Sequence, residues 1–225
     1  AQAQAQIIER FGRSPSYVVS CAGVAPAGAL LTSPVKMFTR AFDINAAANV
    51  VLAQAFLPAM ISNNHGHFMT VASSASYFSL PNLCAYSMSK TAALAFLESL
   101  RAELRAVYKA CRVRTSVVTP TKVRTVLAEG LNEGDDDFLM PVLEPIQVAR
   151  AMADTLNSGL SRNISLPLGS ALLPYLRALP EWYRGALRAL GKTDALVTPE
   201  SISRGQQAIR GHQSNLDHLK KLGVH

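Results

Sequence analysis

A tyrosine and a lysine four residues apart are the first candidates for chemistry in this chain of 225 residues. Tyr86 and Lys90 stand at the start of a predicted helix, where residues at this spacing share one face. A phenol has a pKa of about 10, but a cation within about 4–6 Å favours the phenolate and lowers that pKa. Taken alone, this spacing is also typical of an ordinary exposed Tyr/Lys pair.

Ser73 adds a hydroxyl group to the pair. It lies at the carboxyl end of a predicted strand and thirteen residues before Tyr86, so the intervening loop can return its hydroxyl to the phenol. A serine there can hold a carbonyl oxygen while Tyr86 gives that oxygen a proton. The neighbouring Ser74 and Ser76 allow an alternative, in which the serine cluster forms a turn. The three residues together favour proton transfer at a substrate oxygen.

These side chains must be positioned by alternating strands and helices. Short β-branched runs predict strands at 17–21, 67–73, 113–119 and 163–166, and helical patterns separate them at 34–60, 85–110 and 144–158. This alternation indicates a Rossmann-like α/β fold, a doubly wound parallel sheet. In such sheets the chemistry lies outside the carboxyl ends of the strands, here 21–23, 73 and 120–121.

Details of two helices are also predicted. Ser33 is expected to be the N-cap of the first, with Pro34 in its first position and a break near Asp43. The buried face of the second is expected to consist of Leu97, Leu100, Leu104 and Val107. An acidic loop is expected at 129–137, and helices in the tail.

Composition excludes several classes of protein. With 49% hydrophobic and 16% charged residues, the chain is neither disordered nor collagenous. The net charge of +7 is not gathered into a block and aromatics are 7%, so no nucleic-acid partner is expected. Three unpatterned cysteines indicate neither disulfides nor a metal site. No apolar run approaches the roughly 18 residues of a membrane span, and the stretch 164–179 at best lies on a membrane.

Four motifs resemble those of the short-chain dehydrogenase/reductase family, in the same order and spacing. V-A-S at 71–73 and Y-S-M-S-K at 86–90 resemble the family's Ser…Tyr-x-x-x-Lys active site. F-D-I-N at 42–45 resembles the helix motif whose Asn completes a tetrad, and P-T-K-V-R-T at 120–125 resembles the segment that lies against the nicotinamide. The resemblance covers about residues 14–168.

The resemblance implies an oxidoreductase that uses NAD or NADP and no metal. Tyr86 would be the general acid/base, Lys90 would lower its pKa and bind the nicotinamide ribose, and Ser73 would hold the reacting oxygen. Asn45 would fix, through its helix backbone, a water that links Lys90 to solvent. The implied cofactor-binding residues are Cys21, Ala22, Gly23, Asn45, Tyr86, Lys90, Pro120, Thr121, Val123 and Thr125.

The chain departs from the family pattern at three places. Cys21 replaces an asparagine that supports the centre of the sheet, and Thr121 replaces a glycine, which makes the backbone beside the nicotinamide less free. The 13 glycines contain no G-x-G, so no phosphate-cradling loop is visible. The family's first two β-α units are expected to precede Ser14, about 60–80 residues in all. Weak or no cofactor binding is therefore expected of the chain as written.

Further motifs resemble the branch of retinol dehydrogenases and lipid-droplet 17β-hydroxysteroid dehydrogenases. They are F-L-P-A-M at 56–60, N-N-H-G-H at 63–67 and T-V-A-S at 70–73. This implies a lipophilic alcohol or carbonyl substrate and an intracellular location, cytoplasmic or peripheral on endoplasmic reticulum or lipid droplets. The late leucines fit a substrate mouth or a membrane-facing lip, or equally an ordinary buried helix; they are Leu172, Leu173, Leu176 and Leu179.

The expected organisation is a partial catalytic domain over 1–168, followed by tail helices over 169–225. The expected assembly is a homodimer that pairs through the helices at 34–62 and 85–110. Two alternatives remain. One is a non-catalytic remnant that binds a membrane surface or a partner, since half a doubly wound sheet leaves an unpaired edge. The other is an epimerase or dehydratase of the extended branch, disfavoured because the region after Gly159 is short for a separate sugar-binding domain.

Overall fold

The computed structural model describes residues 2–128, 141–190, 197, 198 and 202. In this part of the chain, four parallel strands form one sheet in the order β1-β2-β3-β4. The strands are β1 (Tyr17–Ser20), β2 (Gly66–Val71), β3 (Val113–Pro120) and β4 (Asn163–Leu166). The acidic loop expected at 129–137 and most of the expected tail after residue 190 lie outside the described residues.

Helices connect the strands, so every crossover returns the chain to the same edge of the sheet. The helices are α1 (Gln2–Phe11), α2 (Val35–Phe42), α3 (Ala48–Ser62), α4 (Cys84–Ala106), α5 (Pro145–Ser158), α6 (Leu173–Leu176) and α7 (Glu181–Leu190). Because β1 to β4 all run parallel, their carboxyl ends lie together at one edge, which we call the catalytic edge. The predicted Rossmann-like α/β fold is confirmed.

Two apolar layers hold this sheet between helices. On one face, Phe68 of β2 packs with residues of α3 and α4, among them Phe56 and Leu97. On the other face, Met69 and its neighbours on β3 pack against α5. β2 is buried along nearly its whole length, including the polar His67 and Thr70, as expected of a parallel strand covered by helices on both faces.

The expected break near Asp43 is a turn of π-helix, Asp43–Ala47, which joins α2 to α3 without interrupting the helical path. A π-turn adds a residue to the helical turn and changes which side chains face the core. The stretch Val35–Ser62 is therefore one helical unit. Its length and mean hydropathy of 1.6 would suffice to cross a membrane, although the sequence analysis expected no such stretch. Phe56 and Met60 are nevertheless buried against the sheet, as in a core helix.

Two predictions about helix ends are wrong. The first helix begins at Val35, and Pro34 occupies the N-cap position with an extended backbone, ψ 143°, and no side-chain cap. Ser33 therefore lies outside the helix. Helix α4 ends at Ala106, so the helical period no longer directs Val107 at the sheet and that residue is 64% exposed. Leu97, Leu100 and Leu104 are buried as predicted.

Candidate active site

Three segments meet at the catalytic edge. They are the loop after β1, the end of β2, and the first turn of α4. The register brings the ends of neighbouring strands side by side, with Val71 of β2 opposite Val118 of β3. A hydrogen bond of 2.8 Å from the Ala72 amide to the Val118 carbonyl continues this alignment past the end of β2. The predicted candidate residues are thereby gathered from positions far apart in the sequence.

Lys90 is the buried cation of the site, with 4% of its surface exposed. Its Nζ donates a hydrogen bond of 2.8 Å to the carbonyl oxygen of Val71. A Cβ placed on Gly23 would lie only 3.3 Å from that Nζ, so the absence of a side chain lets the loop after β1 approach the ammonium. Burial lowers the pKa of Lys90 to about 8, and the nearby Cys21 thiol acts in the opposite direction.

Tyr86 lies beside Lys90, with 6.0 Å between the lysine Nζ and the centre of the phenol ring. Burial raises the pKa of Tyr86 above its ordinary value, and a side-chain hydrogen bond with Ser73 lowers it by less. The prediction that Lys90 would lower this pKa is therefore wrong for the net direction. Burial outweighs the stabilisation of phenolate, so Tyr86 is protonated at neutral pH.

Ser73 has two hydrogen-bonding partners. Its Oγ accepts a bond of 3.1 Å from the Ala75 amide and so caps the short 3₁₀ turn Ser74–Ser76. The serine turn considered as an alternative is thus present, but Ser73 forms it. Because this bond occupies a lone pair of Oγ, the hydroxyl hydrogen remains available to donate toward the Tyr86 oxygen. The turn orients the Ser73 side chain without removing it from the site.

Asn45 is buried in the π-turn, with 2% of its surface exposed. Its Oδ1 accepts from the Val24 amide at 2.9 Å, and its Nδ2 donates to the Val24 carbonyl and to Ser89 Oγ, both at 2.8 Å. The Asn45 carbonyl accepts from Asn49 Nδ2 at 2.9 Å. This side-chain network was not predicted from the sequence.

Val24 and Ser89 are the residues that were missed. Ser89 stands within the Y-S-M-S-K motif, one residue before Lys90. Its position between two candidate catalytic residues could have identified Ser89 from the sequence. Nothing in the sequence distinguished Val24, because its backbone rather than its side chain makes the contacts.

The segment after β3 also reaches the catalytic edge. The Thr121 amide donates to the Leu166 carbonyl at 2.8 Å, and its buried Oγ1 has no hydrogen-bond partner within the described chain. A hydroxyl at this end of the sheet can form a hydrogen bond with a group bound there. Val123 pairs with Leu143 in an isolated bridge, whereas Thr125 is exposed. Pro120 and Thr121 therefore lie at the edge, and Thr125 points to solvent.

Three features fit the polar groups of a bound cofactor. They are the Lys90 ammonium, the space left by Gly23, and the unpartnered Thr121 hydroxyl. Of the other predicted residues, Cys21 is an exposed free cysteine in the same loop, followed by Ala22. Across the described ranges, no group of three or more His, Cys, Asp or Glu side chains could hold a metal ion.

Comparison with known proteins establishes the family. Residues 1–136 match the family model described as short chain dehydrogenase, and the chain belongs to that family. It is 37% identical over 175 residues to estradiol 17-beta-dehydrogenase 11 of Homo sapiens, covering 77% of this chain and 56% of that protein. It is 35% identical over 141 residues to epidermal retinol dehydrogenase 2 of Mus musculus, covering 63% and 45%. The chain thus spans about half the length of these relatives.

Solved structures agree with the fold. An alcohol dehydrogenase from the archaeon Thermococcus sibiricus, complexed with 5-hydroxy-NADP, matches with a TM-score of 0.62 and 21% identity, over 73% of this chain and 67% of that one. A 3-oxoacyl-[acyl-carrier protein] reductase from Brucella melitensis with bound NAD matches with a TM-score of 0.60 and 20% identity, over 73% and 65%.

The lowered pKa of Lys90 predicts a pH-dependent stability. Between about pH 8 and 10.5 the unfolded chain binds the lysine proton while the folded chain does not, so the free energy of unfolding rises with pH. Replacing Lys90→Met removes this pH-dependent contribution to the free energy of unfolding. We expect the wild-type free energy of unfolding, minus that of the variant, to increase by about 1–2 kcal/mol from pH 7.5 to 9.5 in urea titrations. Lys36→Met, at an exposed position on α2, is the control, and equal pH profiles for Lys90→Met and wild type would contradict the prediction.

Proposed function

We propose that this protein is an oxidoreductase that transfers a hydride between NAD or NADP and a lipophilic alcohol or carbonyl compound. The observation that carries the proposal is the arrangement around Tyr86, whose phenol interacts with the Ser73 hydroxyl and adjoins the Lys90 ammonium. A proton donor, a hydroxyl that can orient an oxygen, and a buried cation are the groups that carbonyl reduction requires of a protein.

The roles of the side chains follow from their contacts. Ser73 donates its hydroxyl hydrogen to the substrate oxygen and holds it beside Tyr86. During reduction Tyr86 gives its proton to that oxygen, and during oxidation it accepts the proton from the alcohol. The nicotinamide cofactor, when bound, supplies or accepts the hydride.

Lys90 and the segments around it bind and orient the cofactor. The Lys90 ammonium binds the nicotinamide ribose, next to the loop of Cys21, Ala22 and Gly23. Thr121 offers its hydroxyl from the segment after β3, and Pro120, Val123 and Thr125 belong to the same segment. Asn45 would fix, through its helix backbone, a water through which Lys90 exchanges protons with solvent. A lysine pKa of about 8 suits this exchange near neutral pH.

The raised pKa of Tyr86 keeps the phenol protonated at neutral pH. A neutral phenol is the form that donates a proton to a carbonyl oxygen. Alcohol oxidation needs the phenolate, so its rate increases as the pH rises. Support for the substrate class comes from relatives named as estradiol and retinol dehydrogenases, since both named substrates are lipophilic alcohols.

Replacing Tyr86→Phe tests the proposal. The ring is retained and the phenol oxygen that would accept the alcohol proton is lost, so we expect turnover of estradiol or retinol with NAD⁺ or NADP⁺ to fall by about 10³-fold or more in the complete protein. Tyr108→Phe is the control, because Tyr108 is exposed beyond the end of α4. Turnover close to wild type in the Tyr86→Phe variant would refute the proposed role.

We further propose that the region from Leu168 to Leu190 rests on an anionic phospholipid surface. The region begins just after β4, at the catalytic edge, where a lipophilic substrate could enter from the lipid. Its large outward side chains are each more than two-thirds exposed: Leu168, Leu172, Tyr175, Trp182 and Leu190. On helix α7, Arg184 and Arg188 pair with Glu181 of the same helix, and Arg188 also lies over the Phe78 ring, while Trp182 is exposed. Exposed aromatic and leucine residues on a basic protein suit a lipid interface.

Vesicle flotation tests the lipid surface. We expect the complete protein to bind vesicles of phosphatidylcholine and phosphatidylserine, and the double variant Trp182→Ser/Leu190→Ser to bind about tenfold less, because two exposed apolar groups no longer insert. Val107→Ser/Tyr108→Ser is the control, since it removes exposed apolar groups at the other end of α4. Equal loss in both double variants would contradict the proposal.

A homodimer through the helical segments at 34–62 and 85–110 is also proposed. Val50 and Val51 are 42% and 64% exposed on a helix whose opposite face is buried in the core. A helix that is apolar on both faces is suited to burial in an assembly.

Replacing Val51→Glu is expected to convert the dimer to monomer in sedimentation velocity, because a charge would be buried without a partner. Leu160→Glu, at an exposed position outside both helical segments, should leave the dimer intact. A monomeric wild-type protein would overturn this assignment.

A further inference from the structure

Ser89 lies between Tyr86 and Lys90 on α4 and has no exposed surface. Its Oγ donates a hydrogen bond of 2.8 Å to the carbonyl oxygen of Tyr86. The same Oγ is 2.8 Å from Nδ2 of Asn45. A serine hydroxyl has one hydrogen, and the Tyr86 carbonyl takes it because a carbonyl can only accept. Ser89 is therefore the acceptor for the Asn45 amide.

These contacts determine the orientation of Asn45. Both Nδ2 hydrogens are used, one by the Val24 carbonyl and one by Ser89, while Oδ1 receives the Val24 amide. Rotating the amide by 180° would set Oδ1 against the Val24 carbonyl and Nδ2 against the Val24 amide, two repulsive pairs. The orientation of the Asn45 side chain is therefore fixed, and Ser89 connects this side chain to helix α4.

The network also reaches the Lys90 ammonium through Gly23. A Cβ on Gly23 would lie 3.2 Å from Asn45 Oδ1 and 3.3 Å from Lys90 Nζ, so both groups lie against the same glycine. Val24, the next residue, is held by Asn45 through both its amide and its carbonyl. The distance between the loop after β1 and Lys90 therefore depends on where Asn45 stands relative to α4.

We propose that Ser89 is a positioning residue for the reaction. Its hydroxyl ties the backbone of Tyr86 to Asn45, and through Asn45 to the loop that lies against Lys90. It touches neither substrate nor cofactor. It acts by fixing the position of the tyrosine hydroxyl relative to the lysine ammonium. This inference rests on the proposed function, because it assigns Ser89 a part in the same reaction.

A matched pair of variants tests the inference. Ser89→Ala removes both hydrogen bonds and leaves one Asn45 hydrogen buried without an acceptor. Ser87→Ala, in the same turn, removes a buried hydroxyl that has no partner among the described residues. A small misplacement of a reacting group lowers turnover strongly, so we expect Ser89→Ala to lower kcat about 10- to 100-fold, with KM for the alcohol changed less than about threefold. Ser87→Ala should stay within about twofold of wild type.

Two further measurements distinguish positioning from a merely structural role. The pH at which kcat for alcohol oxidation reaches half its maximum should shift in Ser89→Ala and not in Ser87→Ala, because only the first alters the surroundings of Tyr86 and Lys90. In a background of Asn45→Ala, adding Ser89→Ala should lower kcat by less than about twofold, since the two residues act through one contact. Ser89→Thr retains the hydroxyl and should recover part of the lost kcat.

The results also distinguish this inference from the proposed function. Normal turnover by Tyr86→Phe would overturn the proposed function itself. An inactive Tyr86→Phe together with Ser89→Ala and Ser87→Ala variants of equal kcat and equal pH profile would overturn the role of Ser89 alone. Independent, multiplicative losses from Asn45→Ala and Ser89→Ala would overturn it as well, because the two side chains would then act separately.

Discussion

A desolvated ammonium group is the constraint on which the site depends. Lys90 is almost fully buried, and removing a cation from water is unfavourable unless polar groups replace the lost hydration. The Val71 carbonyl at the end of β2 supplies one such group, and the bare backbone of Gly23 allows the loop after β1 to close over the lysine. The end of one strand and the loop after its neighbour are thus held at fixed distances from the first turn of α4. The same burial that lowers the pKa of Lys90 raises that of Tyr86, which keeps the phenol protonated.

A buried polar network within an otherwise apolar helix supports this arrangement. Asn49 joins α3 to β2 by accepting from Thr70 at 3.1 Å, and it donates to the backbone of the π-turn. Asn45 continues the network to Val24 and Ser89. Buried amides that are fully hydrogen-bonded specify one arrangement, since any displacement leaves a polar group without a partner. The π-turn is therefore a position where helix geometry is adapted to the site.

Local patterns predicted the elements well, and non-local effects account for the errors. The strands and helices were predicted within a few residues because β-branched runs and helical spacing reflect burial on one face or both. Ser33 was wrongly assigned as a cap, because proline in the next position remained extended and the helix began one residue later. Val107 followed the apolar period but lies beyond the end of α4, where the period no longer determines direction. The pKa of Tyr86 was predicted in the wrong direction, because charge proximity can be inferred from spacing whereas depth of burial cannot.

The sequence by itself determined the family, the order of the strands and helices, and the identity of Ser73, Tyr86 and Lys90 as candidates, because these depend on residue type and short-range spacing. Only the tertiary structure decided that Ser73 both caps a turn and contacts the phenol, that the Asn45 side chain binds Val24 and Ser89, and that Ser89 joins the two helical segments. The contacts of Asn45 connect residues 21 and 44 positions apart. Their existence depends on how the parallel strands bring their carboxyl ends to one edge, which no local pattern encodes.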